Sequence, residues 1–251
     1  FDSFQLEVFF PERLAAWVES GAGEVRRGAA NLGIAPSQFV AHFLLNYFGT
    51  AEALESNAGV AEFSDVVRSL EKFPECRIVT VPLPAFVPGT PSAGYQRLYD
   101  RTCTKLEQMV AIAERNSITV ALEILPYSVV DGSDGFLRLL DRVGSASLGY
   151  NFDTGHAWAM KERVELIPSK LGNRITGTHL CDNDGGTNLS LTPGNGTIDW
   201  NTVLPELFGS GYRGSIDVEI HAPDEDVNAC YGAGLNLVRD IWEQSIKSSN
   251  E

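Results

Sequence analysis

Four side chains able to bind a metal punctuate the second half of the sequence: Glu123, Asp153, His179 and Glu219. Each closes a short apolar run, in Ile118-Thr-Val-Ala-Leu-Glu123, Leu148-Gly-Tyr-Asn-Phe-Asp153, Ile175-Thr-Gly-Thr-His179 and Ile216-Asp-Val-Glu219. The intervals of 30, 26 and 40 residues each leave room for one helix between strands, as βαβ units require. In a parallel α/β barrel the C-terminal strand ends share one face, and active sites are built there. Three carboxylates and one imidazole converging on that face make a hard, mostly oxygen site for one divalent cation.

The elements that would position these residues alternate from start to end. Residues 1–10 read as a strand, and 11–32 as a helix broken near Gly21 and Gly23. Residues 38–45 are a second strand, about 61–73 a helix, and 77–83 a third strand. A proline-rich stretch, Pro82-Leu-Pro-Ala-Phe-Val-Pro-Gly-Thr-Pro91, predicts a rigid loop, and about 95–116 a long helix. Helix then strand repeats for the runs ending at Asp153, His179 and Glu219, and a last helix covers about 227–245. Strict alternation of this kind predicts a parallel sheet with helices outside. Strand periodicity adds that Ala121, Asn151, Gly177 and Asp217 share the inner face with the four candidate ligands, while Val120, Leu122, Phe152, Ile216 and Val218 face the helices.

The expectation is therefore a (β/α)8 TIM barrel, one domain over residues 1–251. Seven strand runs are countable, not eight, and the chain starts without Met inside a strand-like run. On this count the first βα unit, about 25 residues at typical barrel length, is expected to be missing from the numbered chain. An open sheet, or an eighth strand that the pattern hides, are the alternatives.

Composition narrows the partners. With 19 basic and 33 acidic residues the net charge is -14, which repels phosphate backbones and disfavours a nucleic-acid partner. No apolar stretch reaches membrane-spanning length, so no membrane partner is expected. Cys76, Cys103, Cys181 and Cys230 are scattered without a C-x-x-C pair, which argues against structural zinc and for a reducing, cytoplasmic setting. Asn188-Leu-Ser and Asn195-Gly-Thr match the glycosylation sequon, a pattern frequent by chance.

Between about residues 122 and 222 the chain resembles the xylose isomerase-like barrel family of sugar isomerases and epimerases. The resemblance rests on Leu122-Glu123, Asp153-Thr-Gly-His156, His179-Leu-Cys-Asp-Asn183, Pro193-Gly-Asn-Gly-Thr-Ile-Asp-Trp200, and Gly211-Tyr-Arg-Gly214 followed by Val218-Glu219, all in order. Weaker similarity reaches the N-terminus, where Phe1-Asp-Ser-Phe-Gln-Leu-Glu7 looks like the family's second strand. The resemblance implies that Glu123, Asp153, His179 and Glu219 bind one divalent ion, manganese first, with magnesium, cobalt or zinc as alternatives. It further implies that the ion chelates a substrate carbonyl and neighbouring hydroxyl, and that Glu123 and Glu219 remove and return a proton through an enediolate. His156 is implied as a substrate contact that donates to a substrate oxygen. His42, in Val40-Ala-His-Phe-Leu-Leu-Asn46, and Asn183 are further substrate-binding candidates, and Asp182 an orienting one.

Each residue taken alone has an ordinary alternative. A strand-end carboxylate is most often a cap or loop residue, His156 could cap a helix, and His42 could be a satisfied core histidine. Trp158 and Trp200 could stack on a sugar or simply pack a wall. The related three-zinc abasic-site endonucleases need an Asp-x-His pair after the metal-binding histidine, and residues 185–200 contain none. The arginine that some ketohexose epimerases carry there is also missing from Asp184-Gly-Gly-Thr-Asn188, which weighs against a free ketohexose. The expected activity is isomerisation or epimerisation of a keto sugar, hydroxy-ketone or cyclitol ketone, a small carbohydrate-like molecule. Dehydration of a related keto-polyol and a non-catalytic, metabolite-binding barrel are the alternatives. Self-association is implied by the resemblance alone, since family members are often dimers or tetramers.

Overall fold

The computed structural model describes residues 1–86 and 94–248. Six strands form in chain order: β1 (Ser3–Glu7), β2 (Ala35–Val40), β3 (Ile78–Leu83), β4 (Thr119–Ile124), β5 (Leu148–Asp153) and β6 (Ile175–His179). Each hydrogen-bonds to the next in sequence, in the order β1-β2-β3-β4-β5-β6. The described pairs from β1 to β5 are parallel, as crossovers through helices demand. The chain divides into two compact units, Phe1–Tyr150 and Asn151–Glu251.

In the first unit α1 (Pro11–Ala16) and α2 (Ala22–Leu32) are joined by a π-helical turn over Trp17–Gly21. The expected break near Gly21 is thus a widening of one continuous helix. The turn seats Trp17 against Phe39 and Phe73, with its indole N–H donating to Ser69 Oγ at 2.9 Å. Next come α3 (Ala51–Glu55), α4 (Val60–Ser69), α5 (Tyr95–Arg115) and α6 (Gly132–Val143). Residues 87–93 of the proline-rich stretch lie outside the described residues, and Pro82 and Leu83 finish β3. Strands buried on both faces carry near-continuous apolar sequence, here Val79, Val81, Val120 and Leu122. The inner positions are polar instead: Thr80 on β3 donates to Gln38 Oε1 on β2 at 2.6 Å, both fully buried.

Three strand boundaries depart from the sequence reading. β1 stops at Glu7, because Phe9 and Phe10 are half exposed and Pro11 starts a helix. The second run starts earlier and ends at Val40; 42–47 is a 3₁₀ turn whose first residue is His42. The seventh run, 216–219, forms only a parallel bridge of Val218 to Leu180, so it pairs on one side among the described residues.

The second unit holds the end of β5, α7 (Thr154–Ala159), α8 (Ile167–Leu171), β6, α9 (Trp200–Gly209) and α10 (Val227–Ser248). Among the described residues no helix is long and apolar enough to cross a membrane.

Lys105 in α5 is 3% exposed, and its ammonium donates to the carbonyls of Tyr47, Ala53 and Ala58 at 3.0, 2.6 and 3.0 Å. Burial pushes its pKa down to about 8, with nearby Glu62 opposing, so it stays charged at neutral pH and fills three acceptors at once. Lys105→Met should lower the unfolding free energy by about 2–4 kcal/mol in a urea titration, since three carbonyls lose their donor. An unchanged midpoint would mean that those carbonyls find water instead.

Candidate metal centre

Three of the four strand-end groups come together inside the second unit. Asp153 is the last residue of β5 and also the N-cap of α7: its Oδ1 accepts the His156 backbone N–H at 2.7 Å. No loop separates strand from helix, so the carboxylate position is fixed by both. His179 ends β6, is fully buried, and places Nδ1 2.8 Å from Glu219 Oε2. Glu219 is positioned by backbone pairing, its N–H donating to Leu180 O at 3.2 Å while Leu180 N–H donates to Asp217 O at 2.8 Å. Thr178 completes the tie, with its hydroxyl donating to Ser215 O and accepting the Asp217 N–H. The ligand atoms of Asp153, His179 and Glu219 lie within 4.8 Å of one another. Two carboxylates beside one imidazole, with Asp153 and His179 buried and Glu219 partly exposed, form a donor set suited to a divalent cation.

His156, on the first turn of α7, faces the same carboxylate, with Nε2 3.7 Å from Asp153 Oδ2. The stretch 182–200 is organised by a second aspartate. Asp182 is fully buried, and its carboxylate accepts the N–H groups of Asn183, Ile198 and Gly194 and the indole N–H of Trp200, at 2.9, 3.1, 3.0 and 2.7 Å. Gly196 passes so close that a Cβ there would collide with Asp182 Oδ1 and the Asn183 backbone. The turn-rich Pro193 to Gly196 segment is therefore wrapped around a buried charge. Asn183, expected to touch substrate, donates through Nδ2 to Gly155 O at 2.7 Å and accepts the Gly185 N–H at 2.6 Å. Its amide is occupied at both ends by backbone. Trp200 is buried as a wall residue, and Trp158 donates its indole N–H to Thr197 Oγ1 at 2.9 Å.

Two further groups of the second unit are shifted. Burial first, and Asp217 second, push the Tyr212 phenol far above its usual range; its hydroxyl donates to Ser215 O at 2.7 Å. The N–H groups of Gly186 and Thr187 hold the exposed Asp184 carboxyl below its ordinary range.

In the first unit Glu123 is the penultimate residue of β4, 3% exposed. His42, two residues beyond β2, sits 3.4 Å from Glu7 Oε2 and stacks on Phe9 with ring centroids 4.2 Å apart. Sequence reasoning missed this Glu7–His42–Phe9 group, because Phe9 looked like the continuation of a strand. It also missed Asn188, which contacts His156 and drew notice only as a sequon.

A family model described as xylose isomerase-like TIM barrel matches residues 1–241. The chain belongs to that family. Among curated relatives, fructoselysine 3-epimerase of Escherichia coli O157:H7 is 27% identical over 126 residues, covering 49% of this chain and 46% of that protein. Inosose isomerase of Bacillus velezensis is 28% identical over 127 residues, 47% of this chain and 45% of that protein. The chain thus spans about half the length of these relatives. A solved D-tagatose 3-epimerase-like protein superposes with a TM-score of 0.83 at 20% identity, covering 99% of this chain and 91% of the other. The IolI protein, solved with a bound zinc atom, gives 0.74 at 17% identity over 99% and 89%. At such identities these structures establish the shared fold.

Asp182→Asn would set an amide N–H against backbone donors. It should cost about 3 kcal/mol of unfolding free energy and speed hydrogen exchange at Gly194 and Ile198. Wild-type exchange at both amides would show that the carboxylate does not hold this segment.

Proposed function

We propose that the protein is a divalent-metal-dependent isomerase or epimerase of a keto sugar, hydroxy-ketone or cyclitol ketone, with Glu123, Asp153, His179 and Glu219 as the ligand set. The observation that carries this reading is the crowding of Asp153, His179 and Glu219 at the strand ends. Glu123 is assigned as the fourth ligand on the family resemblance, and its burial near the end of β4 supports that. The oxygen-rich set favours manganese or magnesium over softer ions, with cobalt and zinc as further candidates.

A divalent cation bound there would supply Lewis-acid polarisation of a substrate carbonyl and its neighbouring hydroxyl. The remaining work falls to side chains. Glu123 and Glu219 are the pair assigned to take a proton from the carbon beside the carbonyl and return one from the opposite face. Such assistance is worth about 10²–10⁴-fold. Glu219, the more exposed of the two, is accessible to exchange protons with solvent. His156 is assigned to a substrate oxygen, and His42, held by Glu7 and Phe9, to a more distant contact. Asn183 serves this reading as the residue that fastens the backbone behind His156. The epimerase and isomerase names of the relatives favour proton return over expulsion of water.

The reading takes residues 1–251 as one functional domain, which the single family match over 1–241 supports. Four free cysteines support a cytoplasmic setting. Self-association enters on the family resemblance.

Elemental mass spectrometry after equilibration with Mn²⁺, Mg²⁺, Co²⁺ and Zn²⁺ should find about one ion per chain, and Glu219→Gln should weaken retention at least tenfold. In D₂O, turnover of a keto sugar or inosose should place deuterium beside the carbonyl, and Glu123→Gln should abolish it. A wild-type chain that keeps no ion would sink the reading.

A further inference from the structure

The loop at 183–190 is closed at its base by reciprocal backbone bonds between Asp182 and Leu191, each 2.8 Å. Asn188 lies on it with a half-buried side chain. Its Oδ1 accepts the Ser190 backbone N–H at 3.4 Å and faces the Cys181 thiol at 3.9 Å. A backbone N–H can only donate, so this contact identifies the oxygen end of the amide. The other end, Nδ2, reaches Ser190 Oγ at 3.3 Å and His156 Nδ1 at 3.1 Å. An amide nitrogen can only donate, so His156 Nδ1 must present a lone pair. In a neutral imidazole the single ring proton then resides on Nε2, the nitrogen that faces Asp153 Oδ2.

The seat for Asn188 is built into the fold. A Cβ at Gly155 would collide with Asn188 Oδ1 and with Cys181 Sγ. The Gly155 carbonyl is fastened by Asn183, the Cys181 backbone by Thr154 Oγ1, and the His156 N–H by Asp153. Amide and imidazole therefore meet across two segments whose backbones are both held.

We infer that Asn188 is a positioning residue that fixes His156 as the Nε2–H tautomer, so that the imidazole acts as a hydrogen-bond donor at the candidate metal centre. Resting on the function proposed above, this puts a neutral donor beside Asp153, which suits a substrate oxygen that accepts, a carbonyl or alkoxide-like oxygen. The same contact accounts for Asn188 apart from its sequon, since a glycan on Nδ2 would break it.

The tautomer can be read without any substrate. Full-length protein labelled with ¹⁵N-histidine, in mildly alkaline buffer with Mg²⁺, should show His156 with a protonated Nε2 and an unprotonated Nδ1 in long-range ¹H–¹⁵N correlation spectra. His156→Gln assigns the signals by their loss. Asn188→Asp replaces the donor by an acceptor and should move the proton to Nδ1, or add a second proton. Gly155→Ala, whose Cβ would crowd Asn188 Oδ1 and Cys181 Sγ, should give a mixture of tautomers. A wild-type His156 with Nδ1 protonated, or an Asn188→Asp spectrum identical to wild type, overturns the inference. Because the wild-type spectrum decides first, poor folding of a variant leaves the test intact. Because no turnover is involved, failure here is distinct from failure of the proposed function. On an identified substrate, Asn188→Asp should lower kcat about 10–100-fold with KM within about threefold, the split expected when a transition-state hydrogen bond is lost.

Discussion

Everything around the candidate centre hangs on Asp153, which belongs to the backbone scaffold and to the site at once. One carboxylate oxygen caps α7 through the His156 N–H, and the other faces the His156 ring. A strand that turns into a helix without a linking loop leaves its last side chain almost no freedom, so geometry that usually needs surrounding support comes from the backbone itself. The cap also orients α7: Thr154 latches the Cys181 backbone, Gly155 leaves room for Asn188, and His156 returns over Asp153. Loss of the carboxylate would therefore disturb fold and chemistry together, and a loss of function alone would not tell them apart.

Asp182 offers a useful contrast. Both aspartates are buried, yet the carboxylate of Asp182 takes four N–H donors from backbone and indole, whereas Asp153 keeps an oxygen near His179 and Glu219. A buried carboxylate surrounded by N–H groups is balanced where it stands and holds a loop. One grouped with a second carboxylate and an imidazole belongs to a donor set of the kind that suits a divalent cation. The two sit 29 positions apart in sequence, and nothing in their local residue types separates their roles.

What the sequence disclosed, it disclosed through period and spacing. Carboxylates or histidine at the ends of apolar runs, one helix apart, stand at or next to the ends of β4, β5 and β6, as expected for Glu123, Asp153 and His179. Errors arose where an apolar residue serves something other than a strand. Phe9 covers His42, the apolar residues after Val40 wind into a 3₁₀ turn, and the run before Glu219 pairs along one side only. Contacts between residues far apart in sequence left no trace in it. Nothing in the local sequence marks Lys105 or Asn188, because what defines each is a partner dozens of residues away.

The close fit at Gly155 carries a consequence for how such a chain can diverge. Positions 155, 181 and 188 occupy one small volume, so a side chain at 155 is admissible only if 181 or 188 gives way. Replacement of Asn188 by an acceptor or an apolar residue would in turn release the neighbouring imidazole from its present polarity. Hydrogen-bond sense at the site and bulk at a glycine some thirty positions upstream are thus inherited as a linked pair. Lineages that change one should carry the mark of the other.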